Sequence, residues 1–416
     1  MTTLPIAQRG SCRFCDSLLE HSFVDLGMSP LCESFLTADQ LNHAEDFFPL
    51  SASVCQKCFL VQLQEYVTPE NIFDDYAYFS SFSDSWLRHA AKYSDEIIER
   101  LELDQNSFVV EIASNDGYLL QNFVAREIPS LGIEPAANVA AAATEKGIES
   151  LVAFFGKETA TKVREERGPA DLIAGNNVLA HVPDINDFVG GLKILLGEDG
   201  VVTMEFPHLW QLMKGNQFDT IYHEHFSYLS FSTTCRIFEK HGLQIFDVQE
   251  LASHGGSLRI FAQHMGHARA RTEAAESLLK RESEAGFDTL DHYLSFTPQV
   301  ERTKRRLLAF LIEAREQGKQ IAGYGAPGKG NTLLNYCGIR SDLLDYTVDR
   351  NPYKHGRFCP GTHIPIFAPD MLEETRPDYI LVLPWNLKKE ILEQLSFARE
   401  WGAKFIIPIP ELEIVD

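Results

Sequence analysis

No stretch of this sequence reaches the roughly 18 apolar residues that a membrane-spanning helix needs, and its opening residues, MTTLPIAQRG, lack the apolar core of a secretory signal. A cytoplasmic protein without a membrane partner is the expectation. Basic residues are scarce beside acidic ones: 37 Lys and Arg against 59 Asp and Glu leave a formal charge of −22. A nucleic-acid partner is thereby disfavoured, because phosphate neutralisation needs a basic surface, and an anionic small ligand needs a local basic pocket. Internal repeats and low-complexity tracts are absent. Cysteine is limited to eight residues, and with no export signal a disulfide framework is not expected.

What is present is apolar and aromatic. With 416 residues, 44% of them hydrophobic, and 28 Phe and 13 Tyr, the chain can build two or three packed domains. Its pattern places them at 1–75, 76–265 and 266–416. Four of the eight cysteines sit in the first segment as two C-x-x-C pairs, Cys12/Cys15 and Cys55/Cys58. Two thiolates at that spacing chelate one ion, and two pairs complete a tetrahedral site with no open position, so a structural zinc is expected. Buried or redox thiols are the plainer alternative, and Cys32 between the pairs is not needed as a ligand.

From Asp84 to about Arg100 the periodicity reads as an amphipathic helix, after which short β-branched runs alternate with helical stretches. The runs SFVVEIA (107–113), the segment before Glu134, ESLVAF (149–154), DLIAG (171–175) and GVVTMEF (200–206) predict a parallel sheet. GLQIFDVQEL and SLRIFAQ, joined by SHGGS, predict an antiparallel pair at its edge. Residues 266–318 read as helix, a linker leading into a second strand-and-helix alternation of smaller size. The fold class is therefore α/β: a small N-terminal zinc-binding domain, a central Rossmann-like domain and a smaller doubly wound C-terminal domain.

Several constellations carry chemistry. Glu111 lies in a strand ahead of the turn Asn115-Asp116-Gly117, where backbone N–H groups can face a ligand. Glu134 ends the next strand, where a carboxylate can accept both hydroxyl protons of a ribose. Asn176, Asn177 and His181 follow the fourth strand; capping by the asparagines is the alternative. Tyr222, His223, Glu224 and His225 form the densest polar cluster. Their spacing differs from the H-E-x-x-H of a helical zinc site, so acid/base chemistry is the better reading. Extended, the segment would put His223 and His225 on one face; helical, it would separate neighbours by roughly 100°. Gly323, Gly325 and Gly328 spell G-x-G-x-x-G with Asp349 beyond them, a dinucleotide fingerprint. Gly330 after Lys329 excludes a P-loop, and Lys329, Arg350, Lys354 and Arg357 favour a phosphate-bearing ligand over glycines that merely permit close packing.

The paired cysteines, YAYFSSFS, EIASNDGYLL, GIEP, NNVLAHVPD, YHEHFSYLS and GYGAPGKGN together resemble the C-methyltransferases of nucleotide-deoxysugar pathways over nearly the whole chain. The likeness is nearest to the branch that methylates C-3′ of tetronitrose-type sugars in antibiotic biosynthesis. It implies a class I methyltransferase domain that binds S-adenosylmethionine, zinc on Cys12, Cys15, Cys55 and Cys58, and a C-terminal domain that helps hold a dTDP-4-keto-sugar. It further implies His225, Tyr222, Glu224, His181 and Tyr76 as catalytic residues. Glu111, Ala113, Asn115, Gly117, Glu134, Asn138, Asn176 and Asn177 would line the cofactor, and Tyr78, Ser80, Gly325, Lys329, Asn351 and Lys354 the substrate. Ala113-Ser114-Asn115 departs from the glycine-rich turn common in methyltransferases. The competing functions are an NAD-dependent nucleotide-sugar oxidoreductase, an O- or N-methyltransferase of the same sugar class, and a zinc-ribbon interaction module. The sequence leaves the oligomeric state open.

Overall fold

Alternating apolar and polar residues in HSFVDLGMS and FPLSASV suit strands with one buried face. In the computed structural model, which describes residues 10–65 and 79–416, they form β1 (His21–Ser29) and β2 (Phe48–Val54). These pair antiparallel with each other, and β2 pairs with β3 (Val61–Leu63). The central apolar runs become β4 (Val109–Ile112), β5 (Ser130–Ile133), β6 (Ser150–Leu151), β7 (Ala170–Asn176) and β8 (Leu196–Pro207). All five run parallel.

The chain then leaves this sheet. β9 (Ser227–Tyr228) pairs with β3, so the first sheet has the order β1-β2-β3-β9 and is completed by residues far along the sequence. β10 (Leu243–Leu251) and β11 (Ser257–His264) return to the central sheet, giving the order β10-β11-β8-β7-β4-β5-β6 with β11 antiparallel to its neighbours. The expected edge pair is present. β4 and the core of β8 are buried throughout, as strands with both faces covered must be. The helix Asp84–Leu101, whose Ser83 Oγ accepts the Trp86 N–H, packs on one face. Strand order reverses between β4 and β7, and ligands bind at such switch points beyond the carboxyl ends of the strands.

Residues 266–318 form more than a linker. They make three helices, Glu273–Glu284, Leu290–Leu294 and Phe296–Glu316. Phe296 stacks on Phe23 of β1 at 4.8 Å between ring centroids, and Tyr293 on Phe59 at 5.6 Å. One core therefore runs from the N-terminal sheet through these helices into the C-terminal domain. That domain has the strands β12 (Ile321–Tyr324), β13 (Tyr346–Val348), β14 (Ile366–Phe367), β15 (Tyr379–Val382), β16 (Lys404–Ile407) and β17 (Glu413–Val415). Their order is β14-β13-β12-β15-β16-β17, parallel except for β17. The N-terminal loop docks on it: Leu36 and Phe358 exchange backbone hydrogen bonds, and Asn331 donates to the Cys32 carbonyl at 2.7 Å. Among the described residues no helix is long and apolar enough to cross a membrane.

Candidate active site

The two C-x-x-C segments fold alike. Cys12 and Cys55 each donate their N–H five residues on, to Ser17 O and Leu60 O, and accept through their carbonyls from Asp16 and Phe59, both left-handed at φ 61°. Such matched turns aim their thiols at one point. The four sulfurs lie within 4.8 Å of one another, with Cys12–Cys58 and Cys15–Cys55 at 3.5 Å. A tetrahedral zinc with bonds near 2.3 Å needs separations of about 3.8 Å, so the set fits one ion. Hydrogen bonds from Cys55 and then Cys58 hold the Cys12 thiol well below the ordinary thiol range, and Gln62 Nε2 donates to its sulfur at 3.2 Å. Crowded thiols that share protons this way are ready to lose them to a cation.

At the switch point the backbone is strained. Ala113 (φ 56°) and Asn115 (φ 49°) after β4, and Asn177 (φ 56°) after β7, sit in the left-handed region, each at a cost of order 1–3 kcal/mol that persists mainly at functional sites. Glu134, 4% exposed, ties the turn after β4 to the start of the turn after β5 by accepting the Asn115 N–H at 3.0 Å and the Ala136 N–H at 2.9 Å, one on each oxygen. Each oxygen keeps a lone pair for a further donor. Glu111 is fully buried, and burial pushes its carboxyl well above the ordinary range. Among the described residues neither oxygen has a partner of good hydrogen-bond geometry, with the Tyr118 hydroxyl and the Leu120 N–H the groups that face it. Asn176 Nδ2 donates to that hydroxyl at 3.1 Å, and Asn177 Oδ1 is buried without a partner among the described residues. These orphaned polar atoms suit a nucleoside cofactor. Gly117 (φ 77°) completes the turn, Asn138 is exposed near the start of the following helix, and Ser80 donates its N–H to Asn115 Oδ1 at 2.8 Å. Glu134→Ala should weaken binding of a nucleoside cofactor at this point by roughly one to two orders of magnitude, the loss of charge-assisted hydrogen bonds. Calorimetry giving wild-type affinity would refute it.

Histidine 225 meets two of its expected companions. Tyr222 lies 4.1 Å and His181 4.7 Å away between ring centroids. The segment is neither extended nor helical, and here the two conformations considered from spacing both give way: a turn, closed by His225 N–H donating to Tyr222 O at 2.9 Å, sends the two histidines apart. His223 faces β2, its Nε2 3.3 Å from Pro49 O and its ring edge-on to Phe48. His225 Nδ1 is 3.0 Å from Thr220 O. A carbonyl only accepts, so Nδ1 carries the proton and Nε2 presents a lone pair. Burial, then the nearby His181, pushes His225 well below the ordinary histidine range, and burial takes His181 down to about 4. Both are neutral at physiological pH. Glu224 is pushed up to about 7 by burial and by the Glu33 carboxylate, close to the pH at which a proton is exchanged most readily. Tyr76 and Tyr78 lie outside the described residues.

The glycine loop after β12 is filled by the chain itself. Asp349 Oδ2 accepts the Ala326 N–H at 2.7 Å and its Oδ1 the Asn351 N–H at 2.8 Å, so the acid that a dinucleotide ribose would need is turned inward. A Cβ on Gly328 would come within 2.9 Å of Cys32 Sγ and Glu33 Oε1, so the N-terminal loop packs directly on this turn. This disfavours the dinucleotide reading. Gly325 takes φ 84°. Lys354 donates to Ala326 O at 2.8 Å and lies 3.6 Å from Glu33, Lys329 donates to Asn386 over the Trp385 ring, and Asn351 Oδ1 accepts the Tyr353 N–H.

Sequence reasoning passed over Trp86, His89, Glu205 and Arg259. Glu205, fully buried near the end of β8, accepts from His89, Arg259 and Ser253, and Trp86 stacks on His89 beside Tyr118. A carboxylate close to a strand's carboxyl end, as at Glu134, was the available signal.

Three family models match the chain: "Putative zinc binding domain" over 12–73, "Methyltransferase domain" over 86–248 and "C-methyltransferase C-terminal domain" over 252–410. The C-methyltransferase NovU of Streptomyces niveus is 36% identical over 406 residues, covering 97% of this chain and 96% of that protein. Among solved structures, an S-adenosylmethionine-dependent methyltransferase from Clostridium acetobutylicum aligns with 43% of this chain and 92% of its own, at 12% identity and a TM-score of 0.36. One from Anabaena variabilis aligns with 42% and 84%, at 15% identity and 0.35.

Proposed function

The chain belongs to the C-methyltransferase family, zinc-binding and S-adenosylmethionine-dependent, and on that premise we propose that it methylates C-3′ of a dTDP-linked 4-keto-deoxysugar or its amino derivative, in a tetronitrose-type antibiotic sugar pathway. The observation that carries the reading is the contact of His225 with Thr220 O, which accepts the Nδ1–H and leaves Nε2 as a base.

A ketone at C-4′ acidifies the hydrogen on C-3′, and His225 Nε2 takes that proton. The electron pair of the C–H bond moves into the C-3′–C-4′ bond, leaving negative charge on the keto oxygen. Burial that lowers the resting proton affinity of His225 is offset at this moment, because an enolate formed beside the imidazolium favours the charged form. Tyr222 and His181 frame the ring and supply polar contacts near the developing charge. Glu224, pushed up to about 7 by burial and by Glu33, can take up and release a proton near neutral pH. Glu111, Glu134 and the turns around Ala113, Asn115, Gly117, Asn138, Asn176 and Asn177 would hold the cofactor, which when bound supplies an electrophilic methyl for carbon. Ser80, with Tyr76 and Tyr78 upstream, and the Gly325, Lys329, Asn351 and Lys354 cluster are assigned to the sugar nucleotide. There the lysines would exchange Asn386 and Glu33 for phosphate oxygens.

The test is product NMR with candidate dTDP-4-keto-sugars. A new methyl resonance correlated to quaternary C-3′ is the expected result. A methyl on oxygen or nitrogen would replace C-methylation of this substrate by another transfer.

A further inference from the structure

His225 can serve as a base only while Nδ1 keeps its proton, and that condition is set outside the cluster. The acceptor, Thr220 O, belongs to the one-turn helix Phe218–Thr220. So short a turn has few hydrogen bonds of its own and takes its position from what packs on it. The C-terminal domain does the packing. Asp219, fully buried in the middle of the turn, accepts the indole N–H of Trp385 on Oδ2 at 2.6 Å. Trp385 follows β15 and carries the Lys329 ammonium 4.4 Å from its ring centroid. Phe218 meets Tyr336 of the helix Gly328–Cys337 edge to face at 5.4 Å. Just upstream, Asn216 takes φ 50° and donates to Thr303 Oγ1 at 2.7 Å in the helix Phe296–Glu316. The other Asp219 oxygen has no hydrogen-bond partner among the described residues, so the Trp385 indole is the side-chain contact that holds this buried carboxylate.

We propose that Asp219 and Trp385 are positioning residues for the methyl-transfer site: their hydrogen bond across the domain boundary sets the Thr220 carbonyl, which holds His225 in the Nδ1–H tautomer. The inference rests on His225 as the base. Which ring nitrogen carries the proton is decided by the hydrogen bond the ring makes, so a displaced carbonyl frees the ring to adopt the unreactive tautomer. A misplacement of about 1 Å at a remote residue can lower a rate about 10²-fold. Docking of the C-terminal domain thereby becomes a condition for a competent base.

The experiment uses full-length protein with ring-¹⁵N histidine, the His225 signals being identified by their loss in His225→Asn. Trp385→Phe keeps an aromatic ring and removes the donor, Asp219→Ala removes the acceptor, and Asp219→Asn retains one. Wild type and Asp219→Asn should show the Nδ1–H tautomer. Trp385→Phe and Asp219→Ala should show Nε2–H signal and exchange the substrate's C-3′ hydrogen in deuterium oxide about tenfold to 10²-fold more slowly, with S-adenosylmethionine affinity unchanged. Nδ1–H and wild-type exchange in both defective variants would overturn the coupling. Wild-type exchange in His225→Asn would instead overturn the base assignment, a separate outcome, since the tautomer signal reads the coupling without activity. Should Trp385→Phe fail to fold, the comparison of Asp219→Ala with Asp219→Asn decides.

Discussion

His225→Asn is expected to lower turnover by about 10² to 10⁴, the usual worth of a general base, with S-adenosylmethionine affinity near that of the wild type. Asparagine can keep a donor toward Thr220 O but offers no nitrogen lone pair where Nε2 stands. The readout is exchange of the C-3′ hydrogen in deuterium oxide without a reactive methyl donor: wild type exchanges it and the variant does not. His223→Asn should cost far less, because His223 spends its ring on Pro49 O and Phe48, 7% exposed against β2. The pH profile has a stated sign. A base whose folded pKa is depressed by burial stays neutral below the ordinary value of 6.5, so its acid limb should fall well below pH 6.5. An unbroken exchange rate in His225→Asn would pass the role to Tyr222, Tyr76 or His181.

Removing the metal should cost the fold. Binding of a structural zinc contributes about 10–16 kcal/mol in small zinc domains, comparable with the whole stability of a typical domain, about 5–15 kcal/mol. Here the cysteine turns are also built into the methyltransferase domain. Cys58 O accepts from Thr233 and Arg236, Phe14 O from Lys240 at 2.7 Å, and Arg13 reaches Pro183 O at 2.6 Å, two residues past His181. Gln62, which donates to Cys12, pairs through β3 with Ser227, two residues past His225. Cys58→Ser, or dialysis against a strong chelator, should therefore collapse the thermal transition of the N-terminal sheet and abolish activity with it. Metal analysis should return one zinc per chain. A folded, active preparation with well under one zinc per chain would contradict the assignment.

Most strands were legible because their signal is local: DLIAG and GVVTMEF are apolar runs that bury on both faces, and they became β7 and β8. The cysteine site was legible because C-x-x-C fixes a turn within four residues. The turn at Tyr222–His225 was not, since spacing considered only strand and helix, and what orients His225 is a backbone carbonyl that no side-chain pattern encodes. The partnership of Val61 with Tyr228 joins residues far apart in sequence, beyond any local periodicity. What the glycine loop faces was illegible for a related reason. G-x-G-x-x-G describes the loop alone, while Glu33, from another domain, decides what space is left in front of Gly328.

The first sheet has a consequence for synthesis. Its β3 edge closes only when β9 arrives, and the loop behind β1 docks only when Phe358 does. A ribosome adding about 5–20 residues per second delivers that last partner, about 300 residues downstream, roughly 15–60 s after the loop itself emerges. Through that interval the cysteine turns can already hold their ion while the sheet beside them presents an open edge, a template for unwanted pairing. Early metal capture would keep this segment compact until the rest of the chain exists to cover it.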